Sequence, residues 1–409
     1  MEMNTEKMNR LISFCQGLLN KEDGKTLYLK YVEDIKSITP FELIFIQNEQ
    51  LKMGYTPKEL LTVVDKLINV FHQSLSQHPW QRPSEASFLG DLIKENEAVA
   101  SRLNSFKLKI KNNDLLKLKD EMSDLVNDLK SYHVHLQKIE NLLFPYLEKI
   151  DARFDGLKIM WSLHDDLRAL FKVLLTELNN DNYNAHDQSK VLVSLMGQLY
   201  FNVFGLIQKQ ELILFPVASK LLTLDELDNM RQQSVEYGFC FIDPPNIEVD
   251  IASKIGVSLS KPMYGHDDHV YQQMMDTGTG ILDFERVGLI LDMLPVDITL
   301  VDENDKVAYF SRPKDRIFPR TVSVLGRDVR NCHPPESVHV VEEIILAFKN
   351  KTASEASFWI QMRGLFIHIQ YFALYNKLGA YKGTLEVSQE ISKLRALEGE
   401  KRLLQYFDK

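Results

Sequence analysis

The chain has 409 residues, 44% hydrophobic and 26% charged, and a net charge of −9. That length exceeds what one core supports and points to two or three globular domains. The acidic balance disfavours non-specific nucleic-acid binding, no unbroken apolar run reaches the roughly 18 residues of a membrane span, and the polar start (Glu2, Asn4, Glu6) is not a secretory signal.

Three widely spaced cysteines, Cys15, Cys240 and Cys332, fit a reducing cytoplasm better than a disulfide framework. Residues 1–77 predict a small helical module. Thr39-Pro40-Phe41-Glu42 and Thr56-Pro57-Lys58-Glu59 each place Thr at an N-cap, Pro at the first helical position and Glu at the third, a capping box. Gly54 stops the first of these helices. The second buries Leu60, Leu61, Val64, Leu67, Ile68 and Phe71 on one face. No catalytic constellation is present here, and His72 stands alone. The segment Asp34–Leu75 resembles a bacterial N-terminal family known as domain of unknown function number 438. The resemblance rests on the Thr-Pro-x-Glu-Leu helix, on Glu49 to Glu59 and on Asp65. The Cys-Asp-Val-His phrase usual in that family reads Val64-Asp65-Lys66-Leu67 here, so its cysteine and histidine are missing.

His78-Pro79-Trp80-Gln81-Arg82-Pro83 breaks the helical pattern. Helical stretches at about 84–109, 113–148, 154–180 and 187–223 follow, joined by polar connections. They predict an up-down-up-down four-helix bundle over 84–225. The phrase Glu140-Asn-Leu-Leu-Phe-Pro145 recurs as Glu211-Leu-Ile-Leu-Phe-Pro216, an internal pseudo-symmetry. Lys94 to Glu97, Glu140 to Lys149 and Met160 to Arg168 resemble the hemerythrin-like HHE cation-binding family. In its iron-binding members, histidines and carboxylates one turn apart face two metal ions. The resemblance puts His135 and His164 at ligand positions. It also puts Ile139, Leu206 and Gln210 where glutamate or histidine would stand, and Ser87 and Gly90 near the first helix's histidines. That ligand set implies a relic bundle without a non-haem iron centre. A single ion held by His133, His135 and His164 with Asp165 or Glu140 is the remaining metal arrangement. Glu140 and Glu211 fall one position off the ligand row and are expected on the helix surface or behind the ligands.

Residues 237–283 predict a linker, with Asp243-Pro-Pro245, a His266-Asp-Asp-His269 loop and a short helix around His269–Met275. From Phe284 the period changes. An entry helix to Met293 is followed by strands Val296–Val301 and Lys306–Ser311, a helical stretch Arg327–Lys349, and strands Ala356–Met362, Leu365–Leu374 and Tyr381–Glu390. This is an α+β layer with a five-stranded antiparallel sheet. The wording resembles a PAS domain across 284–409, carried by Leu294 to Thr299, Val301 to Val307, Arg316 to Arg320, Asn331 to Pro335, Phe358 to Ile360 and Gly383 to Glu386. The fold class expected for the whole is thus multidomain: an all-α helical module and hemerythrin-like bundle, then a PAS domain with a C-terminal amphipathic helix through Leu394, Leu397, Leu403 and Leu404.

The resemblance implies a ligand pocket between sheet and helices. Cys332 and His333 are its chemical candidates, with haem or flavin as candidate cofactors. Pro334 is expected to open a helix beside them, where a thiolate is favoured; the alternative is a structural turn with a buried Cys. Arg316, Arg320, Arg327 and Arg330 either pair with acids of the same domain or bind an anion. The reading for the whole is a cytoplasmic, non-enzymatic sensory or regulatory protein. Its PAS module senses a ligand or redox signal and its bundle transmits or docks. The expected partner is another protein or a second copy, met through the PAS domain and C-terminal helix. The competing reading is a non-haem iron protein responding to oxygen or nitric oxide.

Overall fold

In the computed structural model, residues 4–112, 118–180, 185–245, 247, 274–276 and 278–400 are described. By its contacts the chain divides into one unit of residues 1–258 with 331–337, and another of residues 259–330 with 338–409.

The first unit is helical. It opens with α1 (Thr5–Leu19), α2 (Gly24–Lys36), α3 (Pro40–Lys52) and α4 (Pro57–Ser76). Both predicted capping boxes form: the Thr39 and Thr56 side chains accept from the amides of Glu42 and Glu59, whose carboxylates return to the cap amides. The bundle follows as α5 (Phe88–Asn112), α6 (Lys119–Leu129), α7 (Tyr132–Lys138), α8 (Phe144–Ile150), α9 (Lys158–Leu178), α10 (Ala185–Lys209) and α11 (Phe215–Leu221). The second predicted helix is therefore not continuous. It breaks at Lys130–Ser131, where His133 N and Val134 N bond three residues back instead of four.

Each Glu-x-x-Leu-Phe-Pro phrase turns out to be a π-helical turn, Ile139–Leu143 and Gln210–Leu214. Proline has no N–H to give the carbonyl four residues earlier. A turn bonded five residues apart absorbs that loss at Pro145 and Pro216 and adds one residue to each helix. A further helix, α12 (Leu224–Tyr237), begins at a third capping box, Thr223 and Glu226.

The N-terminal helices do not form a module with its own core. Buried residues from Met8 to Leu75 pack in one cluster with Phe88 to Ile93, Ile139 to Leu147, Phe154 to Trp161 and Ile213 to Ala218. Their faces are too apolar to end at residue 77, and α3, buried on nearly every side, needs the bundle to cover it. Gly156 allows the close approach, since a Cβ there would lie 2.8 Å from the Ile44 carbonyl oxygen. A second cluster, from Val99 and Leu103 through Leu129, Leu136, Leu167 and Leu174 to Leu199 and Leu206, fills the other half of the bundle. Ser189–Leu221 is long and apolar enough by composition to cross a membrane. The charges of Lys190, Lys209 and Glu211 hide this from a search for unbroken runs, and its Leu192, Met196, Leu199, Val203 and Leu206 line the bundle core.

In the second unit, β1 (Met274–Asp276) pairs antiparallel with β2 (Ile281–Asp283). The expected short helix at His269–Met275 thus ends in a strand, and its residues 269–273 lie outside the described residues, as does the His266–His269 loop. The entry helix is α13 (Phe284–Met293), capped by Asp283. Strands β3 (Asp297–Asp302), β4 (Val307–Phe310), β5 (Glu355–Met362), β6 (Leu365–Tyr375) and β7 (Tyr381–Glu390) form one antiparallel sheet in the order β4-β3-β7-β6-β5. The expected helical stretch Arg327–Lys349 begins as loop with one 3-10 turn, Val329–Cys332, and its α-helix, α14, runs only over Val338–Lys349. Among the described residues the expected C-terminal helix shows one turn, α15 (Ser392–Arg395); Leu394 and Leu397 are exposed, and Leu403 and Leu404 lie outside the described residues.

Candidate functional site

Between the two apolar clusters the bundle carries a polar layer contributed by α5, α7, α9 and the two π turns. The first cluster stops at Ile93 on α5 and resumes at Ile139, Trp161 and Ile213. The second starts at Val99 and includes Leu136, Leu167 and Leu206. The residues between them are Glu95, Asn96, His135, Lys138, Glu140, His164 and Gln210, all buried.

Glu95 is the centre of one half. Its Oε2 lies 2.9 Å from His135 Nδ1, and its Oε1 accepts from Lys138 Nζ at 2.5 Å and from the Cys240 amide at 3.0 Å. Burial alone would raise this carboxylate's pKa; His135 and Lys138 together hold it below the usual range. His135 Nε2 faces Gln210 Oε1 at 3.1 Å. Asn96 Nδ2 donates to the same oxygen, and Tyr132 Oη donates to Asn96 Oδ1. The Lys138 ammonium also lies 4.4 Å from the Phe239 ring centroid.

The other half is built on Glu140. Arg168 donates to both of its oxygens, at 2.6 and 2.7 Å, and to Asp165 at 2.7 Å. His164 Nδ1 lies 2.8 Å from Glu140 Oε1. Burial raises Glu140 less than Arg168 and His164 lower it, so it stays ionised. His164 is pushed down from 6.5, first by burial, and is neutral at pH 7. Its Nδ1–H then donates to Glu140 and its Nε2, a bare lone pair, meets no partner among the described residues. At Glu211, the counterpart of Glu140 in the second repeat, burial outweighs Asn96 and the more distant Arg82 and leaves the pKa raised.

Of the two places expected for Glu140, the helix surface or behind the ligands, the structure shows the second. One turn from His135 on an α-helix is Ile139, which is buried in the first apolar cluster. The π turn inserts a residue, so Glu140 swings inward and meets His164 instead of lying on the surface. The four-residue metal set is not assembled either. His133 Nδ1 accepts from Arg168, Glu140 is taken by Arg168 and His164, and no group of three or more His, Cys, Asp or Glu side chains suited to a metal occurs among the described residues. Ser87 caps the first turn of α5 through its hydroxyl and Gly90 packs against the backbone of residues 84–85. Glu95, Lys138 and Arg168 are the members that sequence reading did not single out. The one signal for Lys138 is its position three residues after His135, on the same helical face.

The iron centre that the fold implies does not fit these residues. Its positive charge is supplied by Lys138 against Glu95 and by Arg168 against Glu140. Of the two histidines at ligand positions, His135 has both ring nitrogens engaged and only His164 keeps a lone pair.

Cys332, which with His333 falls in the stretch 331–337 assigned to the first unit, ends a 3-10 turn (Val329–Cys332) and is half-buried, as is His333. Pro334 does not open the helix. Its carbonyl accepts from the Ser337 amide at 2.9 Å, closing a turn, and α14 begins only at Val338. Cys332 is thus beyond the first turn, where the helix dipole acts. Three of the four arginines considered for an anion meet their own domain's acids: Arg316 with Asp297, Arg320 with Glu386, and Arg330 with Asp305, Asp328 and Glu342.

Comparison with known proteins agrees with this architecture. Residues 88–218 match the model of the hemerythrin HHE cation binding domain, and residues 287–392 match that of a PAS domain. No curated protein matches the chain. Among solved structures, a C-terminal domain from Streptococcus mutans is 30% identical over 31% of this chain and 98% of that one, with a TM-score of 0.30. The PAS domain of a protein from Colwellia psychrerythraea is 17% identical over 27% of this chain and 97% of that one, with a TM-score of 0.23. A sensory box sensor histidine kinase from Vibrio cholerae is 12% identical over 26% and 88%, with a TM-score of 0.20. The chain carries a hemerythrin HHE domain followed by a PAS domain, the make-up of a sensory or regulatory multidomain protein.

Proposed function

We propose that the PAS domain receives a small-ligand or redox signal and that the bundle, its interior closed by protein ion pairs, transmits the signal or docks a partner. One observation carries the reading of the bundle: a buried lysine, Lys138, and a half-buried arginine, Arg168, stand against the two buried carboxylates Glu95 and Glu140. Carboxylates already neutralised this way have little left to offset the desolvation of an ion. A lone imidazole nitrogen falls far short of the five or six ligands iron prefers.

The test is metal content and the absorption spectrum of the whole chain after iron-replete expression. The expected result is no stoichiometric iron. Iron near two per chain, lost in His135→Ala or His164→Ala, sinks the reading. For the PAS domain, the whole chain is titrated with haem and with flavin, then again as Cys332→Ala and His333→Ala. Tight binding that neither substitution weakens assigns the pair to structure. No binding leaves the domain as an interaction module, with light scattering to read whether the partner is a second copy.

A further inference from the structure

One cleft in the second unit joins three unusual features. It measures about 480 Å³ and lies at the β5–β6 turn, lined by Gln361, Arg363, Phe366, Ser392 and Arg395 among others. Volumes of this order hold small-molecule ligands. Met362 pairs with Leu365, so the hairpin turn is the two residues Arg363-Gly364. Both have positive φ, +54° and +79°. A turn of this kind favours Asn or Gly at its first position, and a long side chain is strained there. Strain kept at one residue is a pointer to a use for that residue.

The electrostatics point the same way. Arg286, Arg316, Arg320 and Arg330 in this unit each meet a carboxylate. Arg363 and Arg395 meet none among the described residues, although the chain is acidic overall. The nearby Glu390 is engaged by the Ser392 amide at 2.6 Å. The Arg395 guanidinium lies 3.8 Å from the Phe366 ring centroid. Stacking fixes its plane and leaves its N–H edge available, the geometry that reads phosphate in pairs of hydrogen bonds. Ser392 Oγ accepts from the Phe366 amide at 2.9 Å, and its hydroxyl together with its amide holds Glu390.

We propose that this cleft binds a small phosphate-bearing molecule, held between Arg363 and Arg395. It is separate from the Cys332–His333 pair and does not depend on whether the bundle holds metal, which iron analysis of the same preparation decides. The whole chain is titrated calorimetrically with inorganic phosphate, pyrophosphate and AMP, then again as Arg395→Gln and Arg363→Gly. The expected result is saturable binding of at least one probe, weakened tenfold or more by each substitution. The ranking of the three probes separates a bare oxyanion from a nucleotide as the ligand. Glycine relieves the positive φ, so Arg363→Gly should unfold no earlier than the parent and its loss of binding is not a loss of fold. Absence of saturable binding at millimolar probe, or binding unchanged in both variants, overturns the proposal. So does a lower melting temperature in Arg363→Gly, which would make Arg363 a structural residue.

Discussion

Replacing Lys138 with methionine isolates the charge at the centre of the polar layer. The substitution keeps the length of the side chain and removes the ammonium 2.5 Å from Glu95. Glu95 is left with His135 Nδ1 and the Cys240 amide in a site without solvent. Breaking one side of a buried pair costs about 3–5 kcal/mol because the other charge stays behind. At roughly 2–4 °C per kcal/mol for a unit of this size, the helical transition should fall by about 6–20 °C. Far-UV circular dichroism of the whole chain follows it, since the helices dominate the signal. The double variant Glu95→Gln with Lys138→Met removes both charges and keeps an acceptor for Cys240, so it should recover about 2 kcal/mol or more of the loss. A Lys138→Met protein that melts within about 1 kcal/mol of the parent, or a double variant no better than the single, refutes the claim that Lys138 neutralises Glu95.

Acid should weaken the fold in two steps. His164 has its pKa pushed below 6.5, so its contribution is lost as pH falls below 6.5, where the unfolded chain takes the proton first. Glu95 and Glu140 lie below 4.5, and their contribution goes as pH falls below 4.5. Melting temperature against pH checks this, and a parent as stable at pH 5 as at pH 7 contradicts it, as does a His164→Gln slope equal to the parent's. Ile139→Glu buries an unpaired carboxylate in the apolar cluster and should cost at least about 1–3 kcal/mol; an unchanged urea midpoint at neutral pH would remove Ile139 from the core. Phe239→Ala and Glu95→Gln should each speed maleimide labelling of buried Cys240, read peptide by peptide, while Cys15, buried and with its thiol pKa raised to about 12, stays slow as the control. Labelling of both cysteines together would instead report unfolding.

What was legible in the sequence follows physical range. The capping boxes at Thr39 and Thr56 are local, spanning four residues, and both form as read. The third box, Thr223 with Glu226, is equally local and marks a helix that periodicity alone did not place. The sheet strands were legible because alternation persists over six to eleven residues in the longer ones, and β7 matches its predicted span. The bundle interior was not. A period of 3.6 assigns faces only while the helix stays α, and the π turns at Ile139 and Gln210 shift every later residue by one position. Periodicity therefore left Glu140 either on the surface or behind the ligands and could not choose the inner place that it takes. Lys138 and Arg168 were missed for a different reason: long cationic side chains are expected at the surface. Only the positions of Glu95 and Glu140, far away in sequence, draw them in.

The two repeats put a buried lysine immediately before each π turn, and the two lysines have different partners. Lys138 binds Glu95, and through that carboxylate holds the Cys240 amide just after α12. Beside it, Phe239 meets the ammonium and Phe241, at a positive φ of 65°, stacks with Arg102. Lys209 instead binds Asp65 on α4, 2.7 Å away. The polar layer thus holds residues 239–241 through Lys138 and Glu95, while Lys209 reaches the largely exposed Asp65 of the N-terminal helices. An apolar core of equal volume would often be as stable or more so. It would also be indifferent to small slips in register, whereas each charge here is satisfied in one arrangement only. A shift of α7 against α5 would separate Lys138 from Glu95 and leave the carboxylate that holds the Cys240 amide without its cation, so residues 239–241 sense the register of the bundle in a way that an apolar interior could not provide.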